Sequence, residues 1–232
     1  MTSQPDFAEK PDGRRTAAAA RRRRREKEIL DATRALFDAR GVRDAQIEDI
    51  ANAVGINRAI IYRHFSGKEE LFALTLVGYL EQLGQRLQAA DDVDEAPEAR
   101  LRAITGAFVD YGLEYPAFVD CALTLMRRTG PELLDEIREG AMYRLGRGIS
   151  TCLATVAAAV QAGCDSGVFH TEDVHLLANT LYASGLGGLQ LARVGMLVKE
   201  AAPGIPTTAK LSAQQVKEHL IAASVAMAIG AG

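Results

Sequence analysis

The chain has 232 residues, 48% of them hydrophobic and 25% charged, with a formal net charge of −3. That length suits one large domain or two small ones with a sizeable buried core, in the ordinary globular range. The N-terminus is polar and arginine-rich where a secretory signal would turn apolar, and no run approaches the roughly eighteen apolar residues of a membrane span, so a cytoplasmic protein without a membrane partner is expected.

Nearly every segment reads as helix. Strand alternation is absent, β-branched runs are few, and turn signals fall too far apart for a sheet of hairpins. The first dozen residues lack apolar periodicity, and residues 1–25 are expected to form a disordered basic arm. A helix then reaches Arg40, with Ile29, Ala32, Leu36 and Phe37 at helical spacing and Gly41 as its stop. A short helix from Ile47 to Val54, a Gly55-Ile56-Asn57 turn and a second short helix from Arg58 to His64 come next. Ser66 as N-cap and Glu69 at N3 predict a capping box that starts a longer helix. The acidic stretch DDVDEAP at 91–97 reads as a linker closed by Pro97. Beyond it, helices are predicted near 98–112, 117–128, 131–163, 171–198 and 211–229, with the Pro/Gly-rich 201–208 as a break.

The two short helices carry the first functional signal. Ile47, Ile50, Ala51 and Val54 give the first one a buried stripe, small Ala51 admits the second, and Gly55 supplies a positive φ at the turn. Asn57 is a natural N-cap. With Ile61 pointing inward, the 100° step puts Ala59 and Arg63 on the opposite face, with Ile60 and Tyr62 at the sides. An outward Ile60 suits a thymine methyl and Arg58 a guanine edge. Tyr62, His64 and Lys68 are placed for phosphates, and the amides after Ser66 predict an anion site. An amphipathic pair with a solvated charged face is the plainer alternative. Charge placement fits a polyanion at one end: up to residue 70 there are 15 Lys/Arg against 12 Asp/Glu, and beyond it 12 against 18.

Residues 46–71 resemble the DNA-binding signature of the TetR (tetracycline-repressor) family of bacterial transcription regulators. The shared positions are Ile50-Ala51, Val54-Gly55-Ile56-Asn57, Ile61-Tyr62, His64-Phe65, Lys68-Glu69 and Leu71, and the upstream Ala35-Leu36-Phe37…Gly41 also fits. The resemblance implies an all-α fold: an N-terminal three-helix helix-turn-helix DNA-binding domain over 26–70, then a helical effector-binding and dimerisation domain over 71–232. It implies DNA contacts from Gln46, Asn57, Arg58, Ala59, Ile60, Tyr62, His64 and Lys68, and Arg63 joins these candidates through its place on the outer face. One departure is Gln46, where the signature has Thr; Gln caps helices poorly, so Asp44 competes for the cap. The family acts as homodimers on near-palindromic duplex operators, commonly as repressors released by a small ligand.

The arginines at 14, 15 and 21–25 would lie beside this domain, able to follow phosphates or enter a minor groove. In the body, the small residues from Ala183 to Gly188 allow close helix approach, and the terminal helix is apolar on more than one side. A two-fold pairing of these two helices is expected. For a hydrophobic effector, Phe108, Tyr111, Phe118, Leu123, Met126, Tyr143 and Tyr182, with Met142 and Leu189, are candidate cavity residues, and Arg127 or Arg144 a candidate anchor for a carboxylate.

Catalysis has no positive signal: phosphate-cradling loops, nucleophile elbows and zinc patterns are missing. His170 and His175 bracket Glu172 and Asp173, but acids belong at a helix start, so no metal is expected. Cys121, Cys152 and Cys164 read as reduced core residues, and no cofactor is implied. The sequence thus predicts a ligand-responsive DNA-binding regulator, most simply a repressor. A small-molecule-binding helical protein without sequence-specific DNA function, or an interaction protein that coats nucleic acid, are the rivals.

Overall fold

The computed structural model describes residues 13–230, with side chains from residue 16 onward. Among these residues it holds ten helices and one two-stranded hairpin. Helix α1 (Gly13–Arg40) is continuous, so residues 13–25, expected to be disordered, are instead its first turns. Alanines 17–20 favour helix intrinsically, and Glu28 pairs with Arg24 at 3.1 Å and Arg25 at 3.0 Å across one turn. The remainder of the expected arm, residues 1–12, lies outside the described residues.

Helices α2 (Ile47–Val54) and α3 (Arg58–His64) close on α1 where the sequence places them. Ile29, Phe37, Ile50, Ala51, Ile61 and Phe65 form their shared core. Helix α4 (Lys68–Ala90) continues that core without a gap: Phe72 meets Phe37 edge-on at 5.0 Å between ring centroids. Tyr79 on α4 donates to the Asp38 carboxylate at 2.6 Å beneath the Arg34 guanidinium. The expected boundary at 70/71 therefore falls in the first turn of a helix that packs on both sides.

The body consists of α5 (Pro97–Glu114), α6 (Pro116–Met126), α7 (Gly130–Glu136), α8 (Glu139–Asp165), α9 (Val174–Val194) and α10 (Ala213–Ile229). Asp91 and Arg100 form a nearly buried ion pair at 2.8 Å that fixes the linker, and Pro97 opens α5. Helices α4 and α8 approach closely through glycine; a Cβ on Gly148 would stand 3.3 Å from Leu80.

Three local expectations are corrected. The single helix predicted over 131–163 is split at Ile137-Arg138, where Ile137 turns into the core. Ser66 does not cap α4: Gly67 holds the N-cap position, and the Ser66 amide and hydroxyl both turn to the Glu70 carboxylate. Residues expected as the end of one helix and a break form an antiparallel hairpin of β1 (Met196–Ala202) and β2 (Ile205–Lys210). Its signal in the sequence is the Pro203-Gly204 turn followed by the β-branched Ile205, Thr207 and Thr208, with Gly204 at φ 75°. The hairpin is almost wholly exposed, including Met196, Val198 and Ile205.

Candidate nucleic-acid interface

The α2–α3 turn depends on Gly55, whose φ of 70° and ψ of 37° are left-handed. The Ile56 amide donates to Ala51 at 2.9 Å, and buried Ala51 admits α3. Asn57 then starts α3, its side-chain oxygen accepting from the Ala59 amide at 2.9 Å. That bond occupies Asn57 Oδ1 and leaves its amide group for other partners. Gln46 itself holds the N-cap position of α2, and its backbone amide donates to Asp49 at 3.1 Å; Asp44 does not take the cap.

Ile61 is 1% exposed and anchors α3, while Tyr62 on the adjacent face is 45% exposed. Arg58, Ala59 and Arg63 are exposed with it, and Ile60 is half-buried at the side. Arg58 donates to the Tyr62 hydroxyl at 3.3 Å with its guanidinium 5.5 Å from the ring centroid, so the two present one preorganised donor unit. Among the described residues Arg58 forms no ion pair, and its charge is free to meet an acceptor outside the chain. Lys68 extends over the Phe72 ring at 5.0 Å, at the start of α4.

Two expected phosphate positions differ from the simple picture. His64 is half-buried with its Nδ1 enclosed and unpartnered. Burial lowers its pKa, with Arg22, Arg25 and Arg138 adding to the effect and Glu26 opposing it. The basic run of α1 therefore lies beside the C-terminal end of α3. The anion site expected after Ser66 is occupied by the protein's own Glu70, which accepts from the Ser66 amide at 3.2 Å.

A second candidate site is a cavity of about 230 Å³ in the body, walled by five helices. Leu83 and Leu87 enter it from α4, Phe108 from α5, Cys152 and Val156 from α8, Tyr182 from α9 and Leu220 from α10. Of the expected lining residues, Phe108 and Tyr182 are there. Tyr111 and Phe118 are fully buried in the adjoining core, Tyr111 donating to the Tyr79 carbonyl at 2.9 Å. Leu123 and Met142 pack against that core, and Leu189 fills the space over Gly112. Met126 and Tyr143 are exposed at the surface, 52% and 70% respectively, because the sequence periodicity of α6 and α8 does not reveal which apolar residues find a neighbour. Arg127 is also exposed, and Arg144 is held by Glu26 at 2.7 Å; neither anchors a carboxylate in the cavity.

No Lys, Arg, Asp or Glu lines the cavity among the described residues. Its polar groups are Thr105, which donates to Ser224 at 3.1 Å, together with Ser184, His219, and the Tyr182 hydroxyl, whose pKa burial raises. Burial also pushes the Cys152 thiol up to about 12, so it lines the space as a neutral group. No group of three or more His, Cys, Asp or Glu able to hold a metal exists among the described residues. Asp173 instead caps α9, accepting from the amides of His175 at 2.8 Å and Leu176 at 3.0 Å.

Comparison with known proteins divides the chain in the same way. Residues 29–75 match the family model described as bacterial regulatory proteins, tetR family. The chain is 35% identical over 78 residues to the HTH-type transcriptional regulator BetI of Brucella anthropi. It is 35% identical over 77 residues to the HTH-type transcriptional repressor KstR2 of Mycobacterium tuberculosis. These matches cover 34% and 33% of this chain and 40% and 38% of the relatives, so the chain spans about two-fifths of the length of the curated relatives it matches. The crystal structure of RolR in complex with resorcinol aligns over 90% of both chains with a TM-score of 0.66 at 18% identity, a likeness of fold.

Proposed function

We propose, for a chain that belongs to the tetR family through its N-terminal domain, that it is a ligand-responsive DNA-binding transcriptional regulator acting as a repressor. The observation that carries this reading is the outward row of α3: buried Ile61 aims Arg58, Tyr62 and Arg63 at solvent. Arg58 reads a base edge in the major groove, and Ile60 and Ala59 line the approach. Tyr62, His64, Lys68, Gln46 and the free amide of Asn57 meet phosphates and fix the register. The arginines of α1 add sequence-independent affinity. A helix is about 10–12 Å across and the minor groove about 6 Å wide, so a helical run follows phosphates from outside the groove.

The protein acts as a homodimer on a near-palindromic duplex. Exposed Leu176, Leu191 and Val194 on α9 and Ile229 on α10, with the small exposed Ala183, Gly187, Ala222 and Ala226 among them, form an apolar face suited to a second copy. The effector is a small neutral molecule with one or two hydroxyl or carbonyl groups. The cavity is smaller than the roughly 300–1,000 Å³ of drug-sized pockets and offers hydroxyls and His219 but no Lys or Arg to pair a carboxylate. A neutral phenol of the kind held by RolR meets that description. Effector binding alters the spacing of the two recognition helices and spoils their match to half-sites one or more helical turns apart.

Fluorescence anisotropy on a labelled duplex selected from a random pool tests the reading, with Arg58→Ala and Tyr62→Phe as controls. Tight binding that both changes weaken, and that a neutral phenol releases, is expected. Binding insensitive to both changes but abolished by deleting residues 14–25 would point to unspecific coating. Absence of binding at low salt, with phenol binding retained, would point to a carrier.

A further inference from the structure

The break between α7 and α8 falls at Ile137-Arg138, just before Gly140 in the first turn of α8. Ile137 and Arg138 are extended, with ψ angles of 125° and 146°. The Arg138 side chain accounts for it. Its Nε lies 2.9 and 2.8 Å from the two carboxylate oxygens of Glu70, and its Nη2 donates to the backbone oxygen of His64, the last residue of α3. The Glu70 side chain is 2% exposed and also accepts from the Ser66 amide at 3.2 Å. The Ser66 hydroxyl lies 3.1 Å from the Glu136 carbonyl, and Arg128 joins Glu69 at 3.3 Å to Glu136 at 3.5 Å. The end of the recognition helix, the start of α4 and the α7–α8 junction are thus tied at one point.

The last carbonyls of a helix lack an intrahelical partner and attract a cation, and a guanidinium fork can hold a carbonyl and a carboxylate together. Farther along the same two helices, side chains enter the cavity: Leu83 and Leu87 from the last turns of α4, Cys152, Leu153 and Val156 from the middle of α8. Along them, a Cβ on Gly84 would meet Thr151 at 3.6 Å and Cys152 at 3.7 Å, and one on Gly148 would meet Leu80. Helices packed this closely shift as units.

We propose that Arg138 is a positioning residue for DNA recognition: by holding the His64 carbonyl to Glu70 it sets α3 against the body, and it carries displacement of α8 on filling of the cavity to the recognition helix. This deepens the regulator reading and rests on it for the consequence at DNA; the tethering of α3 stands on its own contacts.

Hydrogen–deuterium exchange of the full-length protein, without DNA, tests it. Arg138→Lys keeps the positive charge beside Glu70 and loses the fork. It is expected to leave the melting temperature and the exchange of α9 and α10 near wild type. The Ile61–Phe65 amides should exchange roughly tenfold faster, the loss of one charged hydrogen bond. Unchanged exchange at 61–65 in Arg138→Lys overturns the proposal. So does equal acceleration throughout the chain in Arg138→Lys and in the neutral pair Arg138→Met with Glu70→Gln, which would make the residue one of general stability. Val156→Phe, which fills the cavity from α8, is expected to speed exchange at 61–65 in the wild-type background and to add nothing in Arg138→Lys; additive effects overturn the transmission. Duplex affinity of the same proteins separates two failures. A wild-type chain without duplex affinity removes the regulator reading and leaves the exchange data to decide the tether. A wild type that binds DNA, with Arg138→Lys altering neither affinity nor exchange, removes the tether alone.

Discussion

Helix α3 turns Arg58, Tyr62 and Arg63 outward on seven residues, whereas the body encloses an apolar space among its helices with a few hydroxyls at its wall. The comparisons follow that contrast: similarity to curated regulators is confined to about a third of the chain, while the rest shares its fold with RolR at low identity. A base edge or a phosphate accepts only certain donors at certain positions, so the side chains that meet it are individually constrained. An apolar cavity constrains only volume and the absence of charge, and many sequences satisfy that. On the proposed reading, recognition of DNA is written in particular residues, and recognition of a small ligand in the packing.

If the contrast holds, damage to the body is a matter of stability and damage to α3 a matter of affinity. Phe118→Ala, in the fully buried aromatic cluster with Phe108 and Tyr111, is expected to lower unfolding free energy by about 3–5 kcal/mol. Chemical denaturation measures it, and a loss under about 1 kcal/mol would mean the site collapses freely. Arg58→Ala should change stability by no more than about 0.5 kcal/mol and cost about 1–3 kcal/mol in duplex affinity, with discrimination relaxed at one base position. Equal losses on every sequence would move Arg58 to the phosphates. The α1 arginines sit between these extremes: Arg21, Arg22 and Arg23 changed together to Gln should flatten the log–log salt dependence of binding by roughly 0.9 for each phosphate no longer neutralised, uniformly across sequences. Asn57→Ala removes the cap of α3 and should cost about 1 kcal/mol of stability.

The smallest effect sharpens the contrast at His64, which faces Arg22, Arg25, Glu26 and Arg138. Its pKa is lowered in the free protein from the ordinary 6.5, so the folded chain binds a proton less readily than the unfolded one. That contribution to stability is complete above 6.5 and declines as pH falls below it. A phosphate beside His64 raises the pKa again in the complex. Duplex affinity should then strengthen as pH falls through the raised value, and His64→Asn should remove the dependence. A flat profile in the wild type would take His64 out of the phosphate set. Glu70 contributes with the same sign at lower pH. Burial opposes its ionisation, but hydrogen bonds from Arg138 and Ser66 prevail and lower its pKa below 4.5. Its stabilising contribution is full above 4.5 and disappears only as pH drops through the lowered value.

Local rules recovered what local forces make. The bounds of α2 and α3, the left-handed Gly55, the Asn57 cap and the inward Ile61 all follow from periodicity and turn chemistry. The hairpin at 196–210 was legible in Pro203-Gly204, although strand alternation around it is weak. The fate of the apolar residues of the body was not legible. Phe118 and Tyr143 look equally suited to a cavity in sequence, yet one is buried in the core and the other lies on the surface. Periodicity places a residue on a helix face and leaves open which neighbour that face meets.

The same limit separates the two kinds of knowledge about this protein. Sequence alone determined that it is helical, that a helix-turn-helix stands near its N-terminus and which α3 side chains face out, because each depends on residues a few positions apart. Only the tertiary structure decided that Arg138 would reach Glu70, that α7 and α8 would part at Ile137-Arg138, and that the cavity would be lined without Lys, Arg, Asp or Glu among the described residues. The Glu70–Arg138 contact and the cavity join residues dozens of positions apart in the chain, and long-range proximity comes from how helices pack against one another.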